Sequence, residues 1–536
     1  MESTEPPRQA PPEPRPTFGR LVYTYVKHGS REYLARLLQI RNLVMDEDDA
    51  CSMGSALHHA IVIGDEIAVR MMLDAGVSPT VRDCQGYTPL ATAAEAGQRG
   101  IARLLWQLVG PDGRCPVPHA PSCLSMAAEK GHADLVADFL EIWDGWSTVE
   151  KRSALSAAAA EWHDGVVGLL LAKVSYDADA IQRALELGVI HEPMLPVDRV
   201  ASRVLIATAE QNLRQQRVVR QLVDAGASPH MLVYRGRIPC LHAAAAMSHR
   251  LGALRELLEK GADANIRDQP GKTALHSLFK KSSPSSIHGA RALLQHGASP
   301  ELADEAGQTG LHAAAYGGTL EMFQLCLTSC RNPDAALRLV TSHGETLLHY
   351  ATAGGREDIV SFLLSRGLDA NATNANGWTP LICALMPTSV KPCYPQCSLA
   401  RLLLLEHGAS AQAITHEGWT VLHGLGSYPS GNRGLPHEMW DGVAPLVREL
   451  IARGAPLDAV VGSLKHRFVG YNRFVFPNPD PWGIRMRSFA RYWGGAESRS
   501  GGEDLTPLVW ARRSGAKEVV EAIREHGGEA AGEAES

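Results

Sequence analysis

Residues 357–367 read EDIVSFLLSRG, and Ile359, Val360, Phe362, Leu363 and Leu364 fall on one stripe at helical spacing, which predicts an amphipathic helix. Gly367 follows the stripe, where a left-handed cap is wanted, and DANATNANG then reads as a turn. The next segment opens GWTPLI. Thr379 suits a helix N-cap, because its hydroxyl can accept a free N–H of the first turn. Pro380 suits the first helical position, where its missing donor costs nothing, and Leu381 faces inward. The pattern is helix, tight turn, helix, long turn. One such unit cannot bury its own apolar face and must stack on neighbours.

The pattern recurs. GKTALH (271–276), GQTGLH (307–312), GETLLH (344–349), GWTPLI (377–382) and GWTVLH (418–423) share one phrase, with GYTPLA (86–91), SALHHA (55–60) and DLTPLV (504–509) as variants. The capping threonines are Thr88, Thr273, Thr309, Thr346, Thr379 and Thr420; the histidines are His58, His242, His276, His312, His349 and His423. Successive histidines lie 34, 36 and 37 residues apart from His242 to His349. A second phrase follows each first one, as in LDAGVSP (73–79), LVDAGASP (222–229), LLEKGADAN (257–265), LLQHGASP (293–300), LLSRGLDAN (363–371), LLEHGAS (404–410) and LIARGAPLD (450–458).

On these two motifs, in this order and at this period, the chain resembles the ankyrin-repeat family over roughly residues 51–172 and 205–525. The resemblance implies an all-α repeat solenoid: paired antiparallel helices, hairpin-like finger loops, and a curved array with a concave binding face. It also implies that each histidine bonds to its capping threonine and the adjoining loop. About twelve units are expected. Weak ones begin near Ser122, Ser153 and Val204, and the last at Thr506. The expected organisation is a Pro-rich, disordered 1–16, N-terminal capping helices over 17–50, repeats over 51–172, a degenerate repeat or bend at 173–203, repeats over 204–462, an insertion at 463–503, a C-terminal unit at 504–527 and a loose tail at 528–536.

Composition is globular, 45% hydrophobic and 21% charged. The net charge of −6 gives no global pull toward nucleic acid or anionic membrane. No apolar run approaches the roughly 18–20 residues that span a bilayer, and MESTEPPRQAPPEPRP has no signal-peptide core. An intracellular location, cytoplasmic or nuclear, is therefore expected, with the ten cysteines as free thiols.

Candidate chemistry is sparse. One histidine per unit makes a ladder with steps of about 10 Å, too wide for ligands converging on one metal. Cys383, Cys393, Cys397 and His407 lack the second closely spaced pair of a zinc site; Cys383 falls where the motif usually has its histidine. Cys326 and Cys330 read as one helix face. No phosphate loop and no nucleophile elbow occur. The expectation is a non-enzyme with no cofactor and no metal, a monomer whose partner is another protein, with nucleic acid disfavoured.

One stretch departs from the rest. Residues 467–495, RFVGYNRFVFPNPDPWGIRMRSFARYWGG, hold eight of the chain's 31 aromatic residues and five arginines against one acid. From Asp263 to Thr273 is ten residues; from Asp458 to Thr506 is 48. About 38 extra residues thus enter at the finger loop before the last unit, and long insertions of this kind are often functional. Two further insertions, 386–397 and 426–442, fall between the helices of their units. The candidate partner-binding residues are Tyr87, Trp378 and Trp419 on the fingers, with Arg467, Tyr471, Arg473, Phe474, Trp482, Arg485, Arg487, Arg491, Tyr492 and Trp493 in the insertion. The insertion either caps the stack or extends its binding face. The leading function is a scaffold or adaptor that holds a protein on its concave face and fingers. The alternatives are an anionic-ligand site (nucleic acid or acidic membrane) at 465–499, or a ubiquitin-ligase substrate adaptor, although 17–50 shows no F-box-like segment.

Overall fold

The computed structural model describes residues 18–29, 31–39, 47–83, 86–113, 121–191, 209–234, 237–246, 251–279, 286–386, 396–428, 442–461 and 505–526. The chain divides into two compact units, residues 1–229 and 230–536.

In the first unit, inner helices Phe18–Lys27, Glu47–Ile63, Pro89–Glu95, Cys123–Glu129, Thr148–Ala160 and Ala178–Ile190 stack in chain order. Each is followed by an outer partner: Arg31–Gln39, Glu66–Asp74, Arg99–Val109, Ala133–Ile142, Asp164–Lys173 and Ala209–Asp224. The poorly matching stretch 173–203 thus supplies an inner helix, Ala178–Ile190, whose outer partner is Ala209–Asp224. The weak repeat near Ser153 starts earlier: Ser147 caps Thr148–Ala160 in a reciprocal box with Glu150, the two-way arrangement that satisfies two orphan donors at once.

The second unit stacks inner helices Cys240–Ala245, Ala274–Leu278, Gly310–Gly317, Leu347–Gly354, Pro380–Leu385, Val421–Leu425 and Pro507–Ser514. Their outer partners are Leu251–Glu259, Ser286–Gln295, Leu320–Thr328, Glu357–Ser365, Cys397–Arg401 (continued by a π turn to Glu406), Val443–Ala452 and Lys517–Arg524. The only two-stranded sheet among the described residues is Leu232–Val233 against Ile238–Pro239, antiparallel. The motif leucines Leu90, Leu124, Leu275, Leu311, Leu348, Leu381 and Leu422 are fully buried. Stacked units thus bury the stripe that one unit alone leaves wet.

What joins one unit to the next is a histidine. The backbone N–H of Thr273, Thr309, Thr346 and Thr420 points at Nδ1 of the histidine three residues on, at 3.0, 3.2, 3.2 and 3.3 Å. Nδ1 is then the acceptor and Nε2 carries the proton. Nε2 donates to a carbonyl of the following finger: His276 to Gln308 at 3.0 Å, His349 to Trp378 at 3.0 Å and His423 to Leu505 at 3.1 Å. His242 keeps the second half of this lock, to Lys272 at 2.8 Å, but its Nδ1 has no partner. The position that should serve it is Pro239, which has neither hydroxyl nor N–H. His58 is wired differently: its Nδ1 meets Thr92 Oγ1 of the next unit at 2.6 Å, and its Nε2 meets the Val81 carbonyl at 3.1 Å. The Thr379 unit has Ile382 at the histidine position, so Cys383, expected there, is one residue further on and buried.

Burial lowers the pKa of His242 and His276, and brings His312 and His349 down to about 4. The unfolded chain binds a histidine proton near pH 6.5 while the folded lock refuses it. Stability therefore holds above pH 6.5 and falls as pH drops toward 4, by at most about 3 kcal/mol per histidine. Hydrogen-exchange protection of helices 274–278 to 347–354 should decline over that window and level off below it; a flat profile would show that the lock does not titrate. Pro239→Thr should restore the missing donor and raise protection of 240–245 by roughly 0.5–1 kcal/mol, whereas Thr346→Ala should cost the next lock about 1 kcal/mol.

Candidate functional site

The fingers of the second unit form a regular exposed feature among the described residues. Each is a hairpin closed by a short polar residue that accepts the N–H four residues later. Asp268 accepts from Lys272, Asp304 from Gln308, Thr341 from Glu345, Asn374 from Trp378 and Thr415 from Trp419, at 2.7 to 3.2 Å. This is the Asx-type turn that such side chains favour. Glycine follows near the tip. Gly307 has φ of +77°, and a Cβ there would stand 2.6 Å from the Ser342 nitrogen. At Gly418, φ +87°, a Cβ would meet the Val460 carbonyl. Both conformation and closeness therefore exclude a side chain.

The close approach serves a purpose. Glu305 N donates to Pro270 O at 3.1 Å, Ser342 N to Ala306 O at 3.0 Å, Ala375 N to His343 O at 2.8 Å and His416 N to Asn376 O at 3.0 Å. Five successive fingers are thereby bonded tip to tip. Their exposed residues include Gln269, Pro270, Glu305, Ser342, His343, Ala375 and His416. On the outgoing arm, the residue before the closing position is an exposed aliphatic in three fingers, Val340 at 52%, Ile414 at 49% and Val460 at 42%, while Ala303 before Asp304 is half-buried. The sequence motif did not single these out. Their signal is positional, one residue before the turn-closing side chain, where an aliphatic replaces the Arg267 and Thr373 of other fingers.

The sixth finger carries the insertion. In an ordinary finger the paired residues are four apart, as with Asp304 N to Gln308 O. Here Val461 N donates to Leu505 O at 3.2 Å, 44 residues away. The insertion is therefore 40 residues (44 − 4) rather than 38, because Asp458 takes the place of Asn265, not of Asp263. The finger keeps its base, since Leu505 O also receives His423 Nε2. The chain leaves and returns at one rung. Arg467, Tyr471, Arg473, Phe474, Trp482, Arg485, Arg487, Arg491, Tyr492 and Trp493 lie outside the described residues, as does Cys393.

Of the finger aromatics, Tyr87 is half-buried in the first unit. Trp378 and Trp419 are 5% and 7% exposed. The Trp419 ring meets Trp510 of the last unit edge-on at 5.1 Å and His423 at 5.5 Å, while Trp510 Nε1 donates to Ser427 Oγ at 2.9 Å. Both indoles are thus inside, Trp419 by stacking, which leaves little surface for a partner. Cys326 and Cys330 are buried, with Cys330 Sγ bonded to the Cys326 carbonyl at 3.3 Å, and burial raises both thiols. Among the described residues no group of three or more His, Cys, Asp or Glu could hold a metal ion, and no helix is long and apolar enough to cross a membrane.

Because the last unit is tied on by Trp510, Trp510→Ala should cost about 3–5 kcal/mol locally. Hydrogen exchange of 505–526 should rise while that of 310–365 stays unchanged. An equal rise in both segments would contradict neighbour-limited stacking.

Known proteins place this geometry. The family model for ankyrin repeats in three copies matches residues 23–114 and 282–374, and the single ankyrin-repeat model matches 239–269. The RelA-associated inhibitor of Mus musculus is 30% identical over 119 residues, covering 22% of this chain and 13% of that protein. The B-cell lymphoma 3 protein homolog of Mus musculus is 30% identical over 203 residues, 38% of this chain and 33% of its own. The chain thus spans a third or less of these two relatives. The crystal structure of the human ASB11 ankyrin repeat domain aligns at 22% identity with a TM-score of 0.34, covering 45% of this chain and 96% of that one. The threonine–histidine locks, the paired helices and the family matches agree: the chain is an ankyrin-repeat protein.

Proposed function

We propose that this protein is a non-enzymatic scaffold that holds another protein across the finger row of residues 268–461, with the 463–503 insertion as a second point of grip. The observation that carries the reading is the row itself. Five fingers are fixed tip to tip by backbone hydrogen bonds, which leaves Val340 and Ile414, with Val460 on the sixth finger, as exposed aliphatics on a regular frame. Pre-ordered surface lowers the entropy cost of binding, and apolar anchors on a polar rim are the usual source of interface energy. The insertion follows Val461, and the Val461–Leu505 rung closes its base, so the chain enters and leaves it at the end of that surface.

The composition of the insertion also favours a second reading, an anionic ligand held by arginine and aromatic groups. The two are separable. Affinity purification with the intact chain should recover a stoichiometric protein partner. Val340→Asp with Ile414→Asp should reduce capture at least tenfold without changing stability, since both residues are exposed, and removal of 465–499 should weaken it too. Salt-dependent binding of RNA, DNA or acidic vesicles that is lost with 465–499 would favour the anionic ligand. A chain that captures no stoichiometric partner, or that captures it equally well with both fingers altered, would overturn the finger-row reading.

A further inference from the structure

Glu345 is a carboxyl without a counterion in the middle of the finger row. It is 3% exposed. Its Oε2 accepts from Thr341 Oγ1 at 3.0 Å and from the Tyr350 hydroxyl at 3.1 Å. Its backbone closes the finger, with Glu345 N on Thr341 Oγ1 at 3.2 Å and Thr341 N on Glu345 O at 3.0 Å. The same finger is bonded to both neighbours, through Ser342 N to Ala306 O at 3.0 Å, Ser342 Oγ to Ala306 O at 2.8 Å, and Ala375 N to His343 O at 2.8 Å. Among the described residues no ion pair forms at Glu345.

The titratable groups around it supply no charge to compensate an ionised carboxyl. From the preceding finger comes Asp304, itself buried and engaged with Ala306 N and Gln308 N. From the preceding inner helix comes His312, whose ring lies edge-on to Tyr350 at 5.0 Å. From its own inner helix come His349 and Tyr350. Burial keeps both histidines neutral at pH 7. His343 sits at the exposed tip, beside Ser342 Oγ at 3.1 Å. An ionised carboxylate in such a place costs several kcal/mol unless the site opens to water.

We propose that Glu345 is a proton-operated latch on the central finger. With its proton, the carboxyl stays inside and holds Thr341–Glu345 against Tyr350. When the proton leaves to solvent, the uncompensated charge favours an opened finger, and no covalent bond other than that O–H changes. Burial raises the Glu345 pKa to about 8, against an ordinary value of 4.5. The stabilisation is thus complete below about pH 4.5 and is lost as pH rises through 8, with opening increasing up to about tenfold per pH unit inside that window. Above pH 6.5 the buried histidines are neutral in the closed state, and the proton they give up in an opened one as pH rises favours closing, so loss of the Glu345 proton acts with the opposite sign.

Hydrogen exchange of the full chain, corrected for intrinsic rates, would be followed between pH 6.5 and 8 for residues 339–350 and, as reference, for 413–420, whose finger has Thr415 and Trp419 at the corresponding positions. Protection of 339–350 should fall about ten- to thirtyfold relative to the reference. In Glu345→Gln it should change less than twofold; His343 remains in that variant, so a persisting fall would assign the effect elsewhere and overturn the proposal. Tyr350→Phe keeps the carboxyl but removes a donor that favours its ionised form, and should move the fall to higher pH. A flat wild-type profile, or a fall that Tyr350→Phe leaves in place, would also overturn it.

Discussion

The second unit depends on a hydrogen bond that crosses from the inner helices of His242, His276, His349 and His423 to the next finger. His242 Nε2 donates to the carbonyl just before Thr273, which fixes His276 through its own N–H, and His276 does the same for Thr309 and His312. Where the bonds follow one another, each prepares the geometry of its successor, which makes those neighbours cooperative; the relay stops at His312, whose Nε2 has no hydrogen-bond partner, and at Ile382. The chemistry demands a neutral ring, because the lone pair on Nδ1 is already committed to a donor. A group that titrates near neutrality in water is therefore held neutral by burial, and the stack inherits a weakness toward acid.

Departures from the pattern are informative because the reason is local. At Pro239 the donor is absent and His242 Nδ1 is orphaned. At Ile382 the ring is absent, and Thr379 spends its hydroxyl on the Ile382 N–H instead. In the first unit His58 reaches forward to Thr92 rather than to a cap on its own helix. The first unit also lacks a finger between Ala133–Ile142 and Thr148–Ala160. There Trp106, Phe139, Trp143 and Trp146 pack ring to ring at 4.9 to 6.0 Å, and Trp146 donates to the Phe139 carbonyl. Aromatic packing takes over the junction that hairpins and histidines supply elsewhere.

The finger row joins rigidity and exposure in one place. Tip-to-tip bonds absorb the backbone polar groups, glycine permits the approach, and the side chains left facing water are few and mostly uncharged. Glu345 stands out in this setting. Glutamate at the position before the threonine is an ordinary polar choice in a sequence, but the finger places it between two neutral histidines and a tyrosine.

Much was legible in the linear pattern, since a period near 34 residues with capping threonine, inward leucine and terminal glycine constrains helix ends, turn chemistry and the direction of stacking before any contact is seen. The location of the large insertion was legible too, because the motif marks where the finger should close. Its length was off by two residues because aspartate and asparagine occupy either of two nearby turn positions, and the Val461–Leu505 rung was needed to choose the register. The role of 173–203 was not legible, as its helix lacks the motif and is defined by packing on Thr148–Ala160. The direction of Trp378 and Trp419 was decided only by tertiary structure. A tryptophan before a capping threonine can face water or the next unit, and the arrival of that unit, with Trp510 closing over Trp419, makes burial the lower free energy. The sequence by itself determined which residues could cap, turn and stack. The neighbouring units decided which of them end inside, because burial belongs to the pair of surfaces and not to either strand of text.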